Sequence, residues 1–282
     1  MAVVGSQAPS SFDEFGPVVR PLERDGLPTP SRRSVVRVVG GLYVLLLVPI
    51  VLIDLLGMGG RTFDGQYPMW YQLFQENSAI EWLQSLLLAG VVFYGAAVAA
   101  RATGSRRTQT QALFGLLAVG AAIMAIEDSG NVGQRIAMWV GEAFGEKSRL
   151  TDVARLPVLG LISGIPTYAM WRYRGLFSAL GRPGRTIIAG YLVYAFGAVV
   201  GELLNRVVPI YRVVGNFMLD SVFQGKLNPG PRAKLWDDRG LVFMDYTFEA
   251  TLELIGVTLL FIGVSGTCRL ARDLKGTTET TG

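Results

Sequence analysis

Apolar residues in this chain come in long unbroken runs, at roughly 38–58, 80–100, 110–127, 156–171, 186–204 and 246–266, divided by shorter polar stretches. Runs near twenty residues match a hydrocarbon layer about 30 Å thick, which a helix crosses at about 1.5 Å per residue. The runs are continuous rather than alternating, so they predict helices, which satisfy every backbone amide within the segment. The expected fold is an all-α integral membrane protein, a bundle of six transmembrane helices over residues 35–268. Residues 1–34 are punctuated by Pro, Ser, Gly and charge, with no apolar stretch near their start, and predict a flexible tail. Residues 269–282 form a second, polar tail.

The polar stretches give the predicted topology. Arg101, Arg106 and Arg107 lie between the second and third runs, and Arg172, Arg174, Arg182 and Arg185 between the fourth and fifth, with no acid in either connection. Arg32, Arg33 and Arg37 border the first run; Arg269, Arg272 and Lys275 follow the last. The positive-inside bias then makes both termini cytoplasmic, in a plasma (inner) membrane whose lipids surround the bundle. The three longer connections, 59–79, 128–155 and 205–245, face outward. Two of them hold helical apolar stripes: Ile136, Trp139, Val140 and Ala143, then Ile210, Val213, Val214 and Phe217 just after Pro209. Both predict short amphipathic helices in the outer interface. Tyr67, Trp70, Tyr71 and Phe74 predict an aromatic belt.

Composition narrows the chemistry. Half of the 282 residues are hydrophobic, 17% are charged and the mean hydropathy is +0.38, as membrane helices require. The net charge of +4 is accounted for by the connecting arginines, with no basic–aromatic binding motif, so nucleic acid is not an expected partner. The absence of histidine argues against haem and zinc, and the single cysteine, Cys268, excludes an intrachain disulfide. No GxSxG, P-loop, GxGxxG or HExxH motif is present, so no catalytic residue is assigned.

The carboxylates hold the strongest pattern. Asp54 ends the first run, Glu81 opens the second within a Ser78–Glu81 capping box, and Glu127 with Asp128 ends the third. Glu202 ends the fifth; Asp245, Glu249 and Glu253 open the sixth. All fall on the predicted outer side. Asp245 is expected to cap the last helix, while Glu249 and Glu253 share a stripe with Gly256, Leu260 and Gly263 that should face the bundle interior. The pairs Gly160/Gly164 and Gly197/Gly201 predict close packing of the fourth and fifth helices. The candidate ligand-binding set is therefore Glu127, Glu202, Glu249 and Glu253, supported by Asn131, Gln134, Arg135, Asn205 and Arg206. Such acids are stabilised by arginines (Arg135, Arg206), by a hard divalent cation on the four glutamates, or by retained protons.

Glu127-Asp128 with Gln134-Arg135, and Phe248-Glu249 with Glu253, resemble stretches in a group of uncharacterised bacterial and archaeal multi-pass membrane proteins. That group ends one helix with an acidic pair and opens its last helix with a Glu-rich pattern. Gln134 stands where the group often has histidine, and the resemblance carries no activity. The leading expectation is an outward-facing, carboxylate-lined pocket for a cation, a proton or a cationic small molecule, serving transport. Two others stand beside it: a membrane-embedded carboxylate or hard-metal enzyme acting on a lipid or envelope precursor, and a non-catalytic subunit or scaffold held by partners in a membrane complex.

Overall fold

The computed structural model of the chain describes residues 29–58, 67–75, 78–103, 106–130, 132–144, 156–197, 209–229 and 236–279. Among these residues the chain is helical throughout, with no strand. The helices are α1 (Arg32–Pro49), α2 (Met69–Phe74), α3 (Ala79–Arg101), α4 (Arg107–Gly130) and α5 (Val132–Phe144). They continue as α6 (Leu156–Arg172), α7 (Arg174–Ala179), α8 (Arg182–Ala195), α9 (Ile210–Phe217), α10 (Arg239–Phe243) and α11 (Ala250–Glu279). The chain widens into π-helical turns at Ile50–Leu55 after α1, at Met218–Val222 after α9, and at Met244–Glu249, which joins α10 to α11. The first follows Pro49, which has no N–H to continue the ladder.

Four segments are long and apolar enough to cross a membrane: Arg32–Leu55, Met69–Arg101, Arg107–Glu127 and Arg239–Arg269. The fourth and fifth apolar runs also fold as helices, but α6 has 17 residues and α8 has 14. Both fall short of the other four over their described residues, and the fifth run continues into residues outside those described.

Contacts along α11 fix how the helices run. Gln84 of α3 meets Ala250, Tyr94 meets Phe261, and Arg101 is close enough to Cys268 to act on it electrostatically, so α3 and α11 run parallel. Gly197, Gly190 and Ile187 meet Leu252, Gly256 and Gly263 in reverse order, so α8 runs antiparallel to α11. α1 is antiparallel too: the Tyr43 hydroxyl lies 2.7 Å from Thr251 Oγ1, and Arg269 donates to the carbonyls of Thr29 and Pro30. α6 joins α8 through the hydroxyl of Tyr191, which donates to Ser163 O at 2.6 Å. Arg32, Arg101, Arg107 and Arg269 thereby collect at one end of the bundle, and Asp245, Glu249 and Glu253 lie at the other.

The glycine stripe expected on the last helix is present and serves α8. A Cβ on Gly256 would lie 2.6 Å from Tyr194 N and 2.8 Å from Gly190 O; one on Gly263 would lie 2.9 Å from Ile187 N. Such contacts are van der Waals packing, the main attraction left between helices in lipid. Among the described residues Gly160 and Gly164 make no α6–α8 contact, since none of those residues comes within 4 Å of a Cβ added at either. Gly197 instead abuts the last helix, and Gly201 lies outside the described residues.

The short amphipathic helices expected in two of the connections are present as α5 and α9. Trp139 of α5 and Ile210, Val213 and Phe217 of α9 turn outward, while Tyr211 and Gly215 form the buried face of α9. The aromatic belt is corrected: Trp70 and Phe74 of α2 are buried, not turned to an interface, because α2 folds back onto the bundle.

Candidate functional site

The last helix begins earlier than its hydropathy indicates. α10 starts at Arg239 because Gly240 and Gly215 let α10 and α9 cross backbone to backbone; a Cβ on Gly240 would lie 2.5 Å from Asn216 N. Asp245 is therefore not the cap of this helix. It lies inside the π-helical join, exposed, with the Thr247 hydroxyl donating to Phe243 O nearby. Irregular turns of this kind often coincide with functional positions.

Glu253 lies in the first turn of α11, against two other helices. The amide of Gln84 on α3 approaches Glu253 Oε2 at 3.5 Å, the outer limit of a hydrogen bond, and donates to Ala250 O at 2.9 Å. Gln84 is 1% exposed. On the opposite side a Cβ added to Gly197 would come within 3.4 Å of Glu253 Cγ and 3.3 Å of Glu249 O, so this glycine lets α8 close on the acids. Glu249 Oε2 is shielded from solvent. Above them stands Tyr211 of α9, 7% exposed. Its phenol is held above the ordinary value first by burial, then by the charges of Glu249, Asp245 and Glu253. Tyr211 and Gln84 were not among the residues expected from the sequence. Gln84 carried a signal, a lone amide within the run LQSLLL, whereas Tyr211 looked like one more member of an amphipathic helix.

Two other carboxylates serve as helix anchors. Asp54 is buried and accepts from Met69 N at 2.8 Å and Trp70 N at 2.9 Å, satisfying the first turn of α2, whose own preceding residue is Pro68. Glu127 accepts from Gly133 N, with its oxygens at 2.9 and 3.2 Å, and so holds the first turn of α5 to the end of α4. The Ser78 capping residue is in place, its Oγ 3.5 Å from Glu81 N. Arg135 is exposed on α5. Asn131, Glu202, Asn205 and Arg206 lie outside the described residues, as does the side chain of Gln134.

The acids at the start of α11 are covered by the connections that follow α1 and α8. Trp70, 1% exposed, donates from Nε1 to Leu227 O at 2.8 Å and sets its ring edge-on to Phe243 at 5.2 Å. Tyr71 packs on Tyr246 at 5.5 Å. Arginines in this cover are paired: Arg212 with Asp238, and Arg239 with Asp220 at 2.9 Å. Asn228 and Arg239 hold the Asp220 carboxyl below its usual range. Among the described residues, no group of three or more acids or cysteines is arranged to hold a metal ion.

This chain matches no protein-family model, no curated protein and no solved structure.

Proposed function

We propose that this chain is a six-span membrane protein of the plasma membrane, with both termini on the cytoplasmic side, that binds a cation in exchange for a proton. The site is formed by Glu249 and Glu253 beneath Tyr211, opening toward the outer side, and its role is in transport. The orientation is supported by the arginine-bearing helix ends, which collect opposite the carboxylates. Glu202, Asn205 and Arg206 enter the proposal on sequence grounds, since they follow Gly197 by nine residues or fewer.

The observation that carries the reading is Tyr211. A phenol nine-tenths buried lies in the field of three carboxylates, at the point where Gln84 and Gly197 bring two further helices against Glu253. Acids that share one helix face in a medium of low dielectric favour a proton, a bound cation or a cationic side chain beside them, and the first two are what an exchange site uses. A cation arriving from the outer side displaces a proton from the acid pair, and Tyr211 offers its oxygen as a neutral ligand or proton-relay group.

The test uses the full-length protein in detergent micelles, titrated with Mn²⁺ and, separately, with tetramethylammonium under weak buffering. Binding of one probe with release of a proton is expected. The double variant Glu249→Gln/Glu253→Gln should lose both signals, while Glu81→Gln keeps them. A double variant that binds and releases protons like the parent sinks the proposal.

A further inference from the structure

The opposite end of the bundle carries charge that the cation site does not use. Between α6 and α8 the chain reads WRYRGLFSALGRPGR, residues 171–185, with four arginines and no acid. Arg172, Arg174, Arg182 and Arg185 are all exposed, and among the described residues none of them forms an ion pair. Arg172 only lies over the ring of Tyr173, at 5.5 Å.

The frame under these arginines is rigid. Leu176, Phe177 and Leu180 are buried, and Leu176 N donates to Tyr173 O at 2.9 Å. Gly181 turns the chain at φ 61°, a left-handed conformation that favours glycine. Gly184 lets α8 close on α7, since a Cβ there would lie 2.2 Å from Phe177 O. Four like charges are thus held at one corner, and among the described residues no carboxylate pairs with them. Beside them the surface changes to apolar and aromatic: Trp171, 68% exposed, and Tyr168 stand on the last turns of α6, their rings 6.4 Å apart. An arginine cluster bordered by outward aromatic rings is the arrangement expected at a membrane surface, where rings sit at headgroup level and guanidinium groups pair with phosphate.

We infer that this corner binds the headgroup of an anionic phospholipid, the arginines on its phosphate and Trp171 and Tyr168 against its glycerol and upper acyl region. This inference needs a membrane around the bundle but not the cation site, so either fails without the other.

The experiment is native mass spectrometry of the full-length protein in neutral detergent, given equal amounts of dioleoyl phosphatidylglycerol and dioleoyl phosphatidylcholine. Phosphatidylglycerol adducts should dominate. Each arginine near a headgroup accounts for about fivefold in affinity, so Arg174→Gln/Arg185→Gln should cut the preference by about 25-fold. Arg174→Lys/Arg185→Lys should keep most of it. Arg32→Gln/Arg33→Gln removes equal charge from the same end and should change it little. If the double glutamine variant does not fold, Arg174→Gln alone is read for its fivefold loss. Equal retention of both lipids by the parent protein overturns the inference, as does an equal loss in the Arg32/Arg33 variant. Displacement of the lipid by glycerol phosphate at matched concentration also overturns it, because the site would then serve a soluble phosphate.

Discussion

Substituting Gly256 tests the contact on which the bundle and the candidate site both depend. A Cβ at this position meets Tyr194 N at 2.6 Å and Gly190 O at 2.8 Å, and one at Gly190 meets Leu260 N at 2.6 Å. These neighbours are backbone atoms, so no change of rotamer relieves the overlap and the two helices must move apart. Overpacking of this kind costs about 1–3 kcal/mol. Alanine offsets part of that, up to about 1 kcal/mol, because it is the better helix former. Gly256→Ala should therefore lower stability by roughly 1–2 kcal/mol. Among the described residues nothing lies within 4 Å of a Cβ at Gly160, so Gly160→Ala keeps only the helical gain. The two substitutions are chemically identical and are expected to differ in sign. Reversible unfolding in mixed micelles, driven by increasing dodecyl sulfate and followed by far-ultraviolet circular dichroism, measures both. Gly190→Ala/Gly256→Ala should cost less than the sum of its single variants, since one separation of the helices serves both. The reasoning is refuted if Gly256→Ala unfolds at the same or higher dodecyl sulfate fraction than Gly160→Ala.

Two further outcomes test the cover and the site beneath it. Asp54→Ala strands the Met69 and Trp70 amides, which should cost about 1–3 kcal/mol for each buried donor left unpaired; hydrogen exchange should speed up in residues 69–74 and stay unchanged in the middle of α11, and equal exchange in both is the contrary result. Tyr211 has a folded-state pKa above its unfolded one, so its contribution to stability is complete below about pH 10 and is lost as pH rises through the folded value; the phenolate absorbance of the parent minus that of Tyr211→Phe should appear later in an alkaline titration than for an exposed tyrosine, and a difference spectrum that titrates near the ordinary value contradicts it.

Much of the fold was legible because hydropathy over about twenty residues is a strong signal and loop charge is a second, independent one. The arginine ends and the Gly256–Gly263 stripe follow from those two rules. The stripe did not name its partner: Gly160/Gly164 and Gly256/Gly263 look alike in sequence, and only the tertiary arrangement makes the second a contact and leaves the first open. The start of the last helix was misplaced because Asp245 interrupts the apolar run and resembles a cap, whereas the helix begins at Arg239, where Gly240 crosses Gly215. In the candidate site, Glu249 and Glu253 stood out as acids on an interior stripe. Gln84 and Tyr211 did not, since what marks them is a neighbour far away in the chain.

Asp54 and Glu127 show why the number of carboxylates at this end of the bundle overstates the size of the site. Each accepts from backbone N–H groups in the first turn of a short helix, where unpaired amides and the helix dipole favour negative charge. A carboxylate held this way needs neither a bound cation nor an arginine to be stable at the edge of a membrane. Its loss should loosen α2 or α5 while leaving the start of α11 as it is. Glu249 and Glu253 differ in kind. They stand on a helix that is already underway, so its first-turn amides are spent upstream at Arg239–Phe243, and the groups brought against them include a carboxamide, a phenol and a glycine. The cation proposal therefore rests on this pair and not on every carboxylate at this end of the bundle.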